Sequence, residues 1–253
     1  MTNDNDQAGD AGTKRFSGKI ALVTGASRGI GRATALALAT EGAHVLALAR
    51  TIGGLEELDD DIRSVGGSAS LIPCDLTSSE AINNLAPALA QRFEKIDILV
   101  LNAGVLGELA PLPDVSEKLW TRTIDTNLTA NWRLLSKIDP FLRASGNARV
   151  AFLTSRVGGA EARPFWGPYA VTKAGLEMMA ETYALESKSA GVRVSIIDPG
   201  AMRTKMRAQA MPGENPETLP DPSELAPMLF SAISPDYDGT AERFVFRDWQ
   251  ANP

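Results

Sequence analysis

Short apolar runs alternate along this chain with longer segments in which apolar residues recur every three or four positions. The short runs predict seven strands, at residues 20–24, 44–49, 69–73, 98–101, 149–154, 192–197 and 243–246. The longer segments predict helices near residues 30–41, 54–65, 79–93, 116–143, 167–188 and 223–233. Because the strands are almost continuously apolar, helices must cover both faces of the sheet. The pattern therefore predicts an α/β fold with a doubly wound parallel sheet of about seven strands.

Two segments depart from this alternation. Residues 1–13 are polar and lack the apolar stretch of a secretory signal, so we expect a disordered leader over residues 1–16 and one domain over residues 17–250. Four prolines and a glycine interrupt the helical pattern between residues 201 and 222, after the sixth strand. A long connection at this position is typical of a lid over a ligand site.

Composition narrows the classes of function. The chain has 253 residues, 44% of them hydrophobic, and a formal net charge of −6. Nucleic acids and anionic membranes attract basic surfaces, so neither is expected as the main partner. The single cysteine, Cys74, is expected to be buried and fits a reducing cytoplasm. The single histidine, His44, argues against a Ser-His-Asp triad and a multi-histidine metal site, so we predict no metal.

A glycine-rich run joins the first strand to the first helix. Gly25, Gly29 and Gly31 follow a G-x-x-x-G-x-G spacing. Glycines let the backbone approach a pyrophosphate closely, while free N–H groups and the helix dipole supply positive charge. The spacing differs from the G-x-G-x-x-G fingerprint, but the mechanism is the same, so the run predicts a nucleotide phosphate site.

A second group of residues points to proton transfer. Tyr169 and Lys173 are four positions apart at the start of a predicted helix, so their side chains share one face. Ser155 follows the fifth strand, and Asn127 lies in the helix before that strand. A lysine ammonium about 4 Å from a phenol, at an effective dielectric of about 20, favours the phenolate by about 4 kcal/mol. We therefore expect Lys173 to lower the pKa of Tyr169 from about 10 to near neutrality.

Together with residues at other strand ends, these two groups resemble the short-chain dehydrogenase/reductase family. The resemblance extends from about residue 18 to residue 246 and includes Asp75, Asn102-Ala103-Gly104, and Pro199-Gly200 followed by Thr204. It implies a single-domain Rossmann fold. It also implies a nicotinamide-dependent enzyme that transfers a hydride between the cofactor and a small carbonyl or alcohol substrate.

The resemblance also implies a role for each residue of the second group. Tyr169 would be the acid/base, Ser155 would hold the substrate oxygen, and Lys173 would also contact the nicotinamide ribose. Asn127 would anchor a water in the proton relay. Ser155 and Tyr169 are 14 positions apart, one more than is usual in the family. Thr154 is therefore an alternative to Ser155 as the residue whose hydroxyl holds the substrate oxygen.

The same resemblance implies a cofactor site along the strand ends. Asp75 would bind near the adenine, and Thr204 would meet the nicotinamide carboxamide. Alternatively, Asp75 caps the next helix and Asn102 to Gly104 form only a turn. The implied cofactor residues are Gly25, Ser27, Arg28, Gly29, Ile30, Gly31, Arg50, Asp75, Leu76, Asn102, Ala103, Gly104, Tyr169, Lys173, Pro199, Gly200 and Thr204.

The end of the second strand predicts which cofactor is used. NAD-selective sites place a carboxylate there for the ribose hydroxyls, whereas this strand ends at Ala49-Arg50. An arginine binds the 2′-phosphate of NADP through two charge-assisted hydrogen bonds. We predict NADP(H) in preference to NAD(H), with Arg50 as the first candidate for the phosphate contact and Arg28 as the second.

The motifs say less about the oligomeric state and the substrate than about the cofactor. We expect a homodimer or homotetramer, with a dimer formed through the helices that hold Asn127 and Tyr169. Residues 247–253 replace the glycine-rich end that many family members use in a tetramer contact. An apolar pocket with an adaptable lid is predicted by aromatic and methionine side chains near the expected site. These are Phe165, Trp166, Met202, Met206 and Met211.

Two alternatives to a carbonyl reductase or alcohol dehydrogenase stay open. One is a nucleotide-binding sensor that keeps the fold without turnover. The other is a β-ketoacyl-(acyl carrier protein) reductase, whose acidic carrier would be attracted by Arg203, Lys205 and Arg207. Ala190 stands where such reductases often carry an arginine, which argues against the second alternative.

Overall fold

Seven parallel strands form a single sheet in the order β3-β2-β1-β4-β5-β6-β7 in the computed structural model, which describes residues 14–251. The strands are β1 (Ile20–Thr24), β2 (His44–Ala49), β3 (Ser68–Pro73), β4 (Ile98–Leu101), β5 (Arg149–Leu153), β6 (Arg193–Asp198) and β7 (Glu242–Val245). Every bound lies within one residue of its prediction. The predicted doubly wound α/β fold is confirmed.

Helices connect and cover these strands. They are α1 (Gly29–Thr40), α2 (Ile52–Ser64), α3 (Ser79–Ala90), α4 (Glu117–Ile124), α5 (Ala130–Ser145), the single turn α6 (Arg156–Gly159), α7 (Gly167–Ser187), α8 (Lys205–Ala210), α9 (Ala226–Ala232) and α10 (Phe246–Ala251). Within the described residues, none of these helices is long and apolar enough to cross a membrane.

Two predicted segments differ in detail. The helix predicted at 116–143 is α4 and α5, joined by a π-helical turn at Asp125–Thr129. A π turn accommodates an extra residue in a continuous helix, so the apolar period alone does not reveal it. The segment 201–222 contains α8, which begins where the Thr204 hydroxyl accepts a hydrogen bond from the Arg207 backbone N–H at 3.2 Å.

The core has two layers, one on each face of the sheet. Successive side chains of a strand point to opposite faces, so Ala21 and Val23 join one apolar cluster and Leu22 joins the other. The first cluster packs α1, α2 and α9 against the sheet, and the second packs α3, α5 and α7. The strands are therefore buried on both faces, as their apolar sequences predict.

The start of the domain lies earlier than predicted. Most of the expected leader, residues 1–13, lies outside the described residues. Phe16 is fully buried, and its ring meets Phe230 edge-on with centroids 5.3 Å apart. The Phe16 N–H donates to the Glu41 carbonyl at 2.9 Å. The folded domain thus includes Phe16, which the prediction assigned to the leader because one aromatic among polar residues forms no periodic pattern.

The topology gathers the expected site residues at one edge of the sheet. Strand β1 pairs with both β2 and β4, so the chain winds outward from β1 in two directions. In such sheets a crevice opens beyond the carboxyl ends of the strands where the winding reverses. The glycine run follows β1, Asn102 follows β4, Ser155 follows β5 and Pro199 follows β6. All four therefore border the same crevice.

Candidate active site

A threonine ties the glycine loop to the end of β4. The Thr24 hydroxyl accepts hydrogen bonds from the backbone N–H groups of Asn102 at 2.9 Å and Ala103 at 3.0 Å, and donates to the Val100 carbonyl at 3.2 Å. The Asn102 side-chain amide donates to the Thr24 carbonyl at 2.8 Å. Asn102 to Gly104 are therefore part of a clamp between β1 and β4, and more than a simple turn.

This clamp leaves no room for a side chain at Gly25 or at Gly31. A Cβ on Gly25 would lie 2.9 Å from the Asn102 Nδ2, and Gly25 has a φ of +67°. A Cβ on Gly31 would collide with the same Nδ2 and with the Gly25 carbonyl oxygen. No side chain of the described residues caps the N-terminus of α1, so its first N–H groups point into the crevice without a side-chain partner. The residues present thus fit a phosphate cradle.

The adenosine side of the predicted cofactor site is open to solvent. Asp75 is exposed, and its Oδ1 accepts hydrogen bonds from the Thr77 backbone N–H at 3.0 Å and hydroxyl at 2.8 Å. The backbone bond lowers the pKa of Asp75, and the charge of Arg50 acts in the same direction. Ser78, not Asp75, caps α3. Arg28 and Arg50 are exposed, and within residues 14–251 neither forms an ion pair.

Ser155, Tyr169 and Lys173 meet beyond the end of β5. Ser155 is the second residue after the strand, and its hydroxyl accepts a hydrogen bond from the Val157 N–H at 3.2 Å. The same hydroxyl lies close enough to the Tyr169 phenol to lower the pKa of the phenol by hydrogen bonding. Lys173 is buried, and its Nζ donates to the Leu153 carbonyl at 2.7 Å and lies 5.6 Å from the centroid of the Tyr169 ring. The Thr154 hydroxyl instead donates to the Ile197 carbonyl at 3.3 Å. The structure therefore brings Ser155, and not Thr154, to Tyr169.

The electrostatics of this group differ from the prediction. Burial raises the pKa of Tyr169 to about 12; the Ser155 hydrogen bond opposes this shift, and the nearby charge of Asp198 adds to it. Burial lowers the pKa of Lys173 to about 8, while Glu177 and Asp198 act to raise it. The predicted fall of the Tyr169 pKa to near neutrality is wrong for the protein alone. Loss of hydration and a neighbouring carboxylate outweigh the lysine charge.

A buried network of charges, absent from the prediction, lies beneath these residues. Asp198 ends β6 and is only 3% exposed, and its Oδ1 accepts from the Gly200 N–H at 3.0 Å. Its Oδ2 lies 3.9 Å from Nη1 of Arg243, whose Nη2 forms an ion pair with Glu177 on α7. Asp198 was detectable as a carboxylate at the end of an apolar strand. Arg243 and Glu177 are 66 positions apart, and no local pattern links them.

Asn127 is fully buried in the π turn, and all of its amide hydrogen-bonding groups are used. Its Oδ1 accepts from the Val105 N–H at 2.7 Å, and its Nδ2 donates to the Val105 carbonyl at 2.9 Å and the Thr172 hydroxyl at 3.1 Å. Its backbone carbonyl oxygen accepts a hydrogen bond from the Asn131 side-chain amide at 2.7 Å. The side chain links the β4 loop to α7. A water in the proton relay would have to bind the backbone carbonyl.

A cavity of about 440 Å³ opens in front of Ser155 and Tyr169. Trp166 forms part of its wall and meets the Tyr169 ring edge-on, with centroids 5.7 Å apart. The predicted lid forms another part of the wall. The lining residues are Ile30, Leu106, Thr154, Ser155, Arg156, Val157, Arg163, Trp166, Tyr169, Asp198, Pro199, Gly200, Ala201, Met202, Thr204, Met206, Arg207, Ala210, Pro220, Val245, Phe246, Arg247 and Gln250. Of the five predicted apolar pocket residues, Trp166, Met202 and Met206 line it, and Phe165 and Met211 do not.

His44 and Cys74 have surroundings typical of structural residues. The ring nitrogens of His44 contact the Ser68 hydroxyl at 2.8 Å and the Ser70 hydroxyl at 3.0 Å, and burial lowers the pKa of the ring. Cys74 is buried, and burial raises the pKa of its thiol, which disfavours the reactive thiolate. Within residues 14–251, no group of three or more His, Cys, Asp or Glu side chains is arranged to hold a metal ion.

Comparison with known proteins decides the family. The family model described as short chain dehydrogenase matches residues 19–215. The chain belongs to the short-chain dehydrogenase/reductase family. As a member, it is an NAD(P)-dependent oxidoreductase, and the resemblance predicted from the motifs is confirmed.

Relatives of this dehydrogenase/reductase cover most of its length. Uncharacterized oxidoreductase YciK of Escherichia coli (strain K12) is 33% identical over 224 residues, which are 86% of this chain and 87% of the relative. The 3-oxoacyl-(acyl-carrier-protein) reductase FabG of the same strain is 34% identical over 195 residues, 76% of each chain. The names of these relatives differ at similar identity, so identity alone does not assign a substrate.

Solved structures of the family superpose on most of this chain. A short-chain dehydrogenase from Pseudomonas syringae is 35% identical, with a TM-score of 0.88, covering 92% of this chain and 96% of the other. One from Escherichia coli CFT073, complexed with NADPH, is 31% identical, with a TM-score of 0.87, covering 96% of this chain and 100% of the other. These structures share the single-domain Rossmann-like architecture described above.

Proposed function

We infer that this short-chain dehydrogenase/reductase transfers a hydride between NADP(H) and a carbonyl or alcohol substrate, with Tyr169 as the acid/base. The observation that carries the proposal is that Ser155 and Tyr169 line one cavity wall, with the Lys173 ammonium buried behind the Tyr169 ring. A carbonyl that accepts a hydride becomes an alkoxide, which needs hydrogen-bond donors and a proton. This wall supplies both.

The protonation states suit Tyr169 to act as the acid when a carbonyl is reduced. With a pKa of about 12, Tyr169 is protonated at neutral pH and can donate its proton to the developing alkoxide. Ser155 holds the substrate oxygen by a hydrogen bond. Lys173, with a pKa of about 8, is mostly charged at neutral pH and stabilises the phenolate that proton donation leaves behind. The nicotinamide, when bound, supplies the hydride.

We propose NADP(H) as the preferred form of the cofactor. The glycine loop fits the pyrophosphate, and Pro199, Gly200 and Thr204 line the adjoining cavity. Asp75 and Leu76 follow β3 at the same edge of the sheet. Arg50 directly follows β2 at the adenosine side, with no carboxylate in the position that NAD-selective sites use. Arg28 precedes α1 at the same crevice. A structural relative complexed with NADPH is consistent with this choice.

We propose a homodimer formed through α5 and α7, in the cytoplasm. Trp132 on α5 is 56% exposed, and Val171, Met178 and Leu185 on α7 are also exposed. A group of large apolar side chains on the outer faces of two helices is typical of a self-association surface. The single buried cysteine fits a reducing compartment.

The two alternative functions fit the site less well. A sensor has no use for a buried phenol paired with a serine hydroxyl and a desolvated lysine. A β-ketoacyl carrier reductase would use basic lid residues to attract an acidic carrier. Here Arg203 pairs with Glu217 and Asp221, and Arg207 pairs with Glu214 at 2.6 Å. These ion pairs neutralise most of the charge on which that alternative depends.

A substrate panel tests the proposal. Ketones, aldehydes and acyl thioesters are incubated with the protein and NADPH, and the loss of NADPH absorbance is followed. We expect turnover of ketones or aldehydes, and faster turnover with NADPH than with NADH. Binding of NADPH without turnover of any class would favour the sensor. Turnover confined to acyl thioesters would favour the carrier reductase.

A further inference from the structure

Positive charge is concentrated around an otherwise largely apolar cavity. Four arginines line the cavity: Arg156, Arg163, Arg207 and Arg247. Among the lining side chains of the described residues, the single carboxylate is Asp198. Asp198 is held near Arg243 and Lys173 beneath the catalytic group, so its charge is already compensated there. The arginines therefore face the cavity without a carboxylate of their own in the lining.

The four arginines are not equally neutralised by their neighbours. Arg207 is matched by Glu214, which accepts two hydrogen bonds from it at 2.6 Å, and Arg247 is matched by Asp248 at 3.4 Å. Arg156 and Arg163 share one carboxylate, Glu161, at 3.7 Å and 3.0 Å. Two guanidinium groups on one carboxylate leave an excess positive charge at the cavity wall. Guanidinium groups bind carboxylates and phosphates through paired N–H donors.

Backbone contacts hold this charged pair in a defined place. The Glu161 N–H donates to the Arg156 carbonyl at 2.9 Å, and the Gly158 N–H donates to the Glu161 carbonyl at 3.0 Å. Farther along, the Ala110 N–H donates to the Phe165 carbonyl at 3.0 Å. The segment 156–165 is thus tied to itself and to the loop after β4. An ordered backbone reduces the conformational entropy that the segment loses when a ligand binds, although the two arginine side chains are themselves about two-fifths exposed.

The position of the pair separates it from the cofactor phosphates. The phosphate cradle lies at the glycine loop before α1, whereas Arg156 and Arg163 lie between Ser155 and Tyr169 in the chain. Trp166, which follows them, packs on the Tyr169 ring. The pair therefore borders the part of the cavity in front of the serine and tyrosine hydroxyls.

We propose that the substrate carries an anionic group, a carboxylate or a phosphate, joined by an apolar segment to its carbonyl, and that Arg156 and Arg163 bind this group. The proposal rests on the function inferred above, because it assigns the same cavity to the substrate. The apolar segment would lie among Leu106, Trp166 and Met206, and the anion would lie at the arginine pair.

Binding measurements on the NADP-loaded protein test this proposal without turnover. The probes are octanoate, octyl phosphate and the neutral octanamide, and binding is measured by titration calorimetry. One charge-assisted hydrogen bond corresponds to a preference of about tenfold or more, so at least one anion is expected to bind about tenfold more tightly than the amide. The preference should weaken as salt concentration rises.

Single-charge variants locate the contact. Arg163→Gln and Arg156→Gln are expected to reduce the preference for the anion severalfold while leaving octanamide binding within about twofold. Arg63→Gln on α2 removes one exposed positive charge far from the cavity lining and should leave the preference unchanged.

The outcomes are distinguishable. Preference for octanoate alone assigns a carboxylate, and preference for octyl phosphate alone assigns a phosphate; both support the proposal. Equal binding of the amide and both anions overturns it, as does an anion preference that survives both arginine substitutions. If the carbonyl panel gives no turnover while the anion preference holds, the proposed reaction fails and the anion site stands.

Discussion

The glycine loop and the surroundings of Tyr169 use different kinds of polar group. Around the glycine loop, where the pyrophosphate would bind, neutral groups make the contacts: the Thr24 hydroxyl, the Asn102 amide and backbone N–H groups. On the side where Tyr169 lies, ionisable groups are buried together. A neutral clamp holds its geometry at any pH near neutrality, whereas buried charges respond to every proton gained or lost.

The difference follows from what each side must do. The glycine loop would bind a pyrophosphate, whose charge stays constant near neutral pH, and oriented backbone dipoles suffice for that. The other side must move a proton, which requires groups whose charge can change. Burial strengthens the interactions among those groups because the local dielectric is low. We expect the chemistry and the stability of the ionised side to depend on pH far more than those of the neutral side.

The largest effect is expected at the acid/base. Tyr169→Phe removes the hydroxyl and should reduce kcat by about 10² to 10⁴ fold, since general acid catalysis contributes about that much. The ring and the Lys173 contact remain, so NADPH affinity should stay within a few fold. Rates and fluorescence titration of NADPH measure the two quantities. Tyr183→Phe, which removes a hydroxyl from the same helix, is the control; a Tyr169→Phe variant with more than about a tenth of normal activity would contradict the role.

The next effect concerns the buried ion pairs. Arg243→Met leaves Glu177 and Asp198 without their partner and should lower the free energy of unfolding by about 3 to 5 kcal/mol, measured by urea denaturation. Arg203→Met, which breaks exposed pairs in the lid, is the matched control and should cost no more than about 1 kcal/mol. A second change, Glu177→Leu, should recover part of the loss caused by Arg243→Met. Equal losses of unfolding free energy in Arg243→Met and Arg203→Met would show that the buried ion pairs stabilise the fold no more than the exposed ones.

The pH dependence of stability tests the buried lysine directly. The pKa of Lys173 falls from 10.5 in the unfolded chain to about 8 in the folded protein. Between these values the unfolded state binds more protons, so the free energy of unfolding should rise with pH, by about 2 to 3 kcal/mol over the window. Urea denaturation of the wild type and of Lys173→Met at several pH values isolates this contribution. Identical slopes in the two proteins would show that Lys173 is not desolvated as described.

A substitution on the neutral side should behave differently. Thr24→Val preserves shape but leaves the Asn102 and Ala103 N–H groups without their acceptor. We expect a loss of about 1 to 3 kcal/mol in the free energy of unfolding, since unpaired buried donors cost that much. The hydroxyl, amide and backbone groups of this clamp do not titrate between about pH 6 and about pH 9, so the loss should be the same at both values. A strongly pH-dependent loss would mean that the clamp is coupled to the ionised side.

The smallest effect is expected at the adenosine end. Arg50→Ala combined with Ala49→Asp removes a phosphate contact and adds a carboxylate, so the preference for NADP over NAD should fall by about tenfold or more. Direct titration of both cofactors gives the ratio, and Arg28→Ala tests the second candidate. Equal or tighter NAD binding by the unmodified protein would exclude the proposed preference.

The strands and the meeting of Ser155 with Tyr169 were predictable because both depend on local pattern. Continuous apolar runs specify buried parallel strands, and hydroxyls that follow such strands reach the same edge. The Tyr169 pKa was not predictable, since it depends on burial and on Asp198 from another strand. The pairing of Arg243 with Glu177 depends on the tertiary fold, as does the π turn that seats Asn127 against Val105.

Gly158 and Gly159 also bear on how this enzyme can be re-engineered. A Cβ on Gly158 would strike the Ala170 carbonyl, and one on Gly159 would strike both Arg243 and Glu177. A larger residue at position 158 would have to displace the backbone of α7, which carries Tyr169, and one at position 159 would have to displace the Arg243–Glu177 ion pair. Libraries that seek new substrates should therefore hold these two positions constant and randomise Arg163, Trp166 and Met206, whose side chains face the cavity.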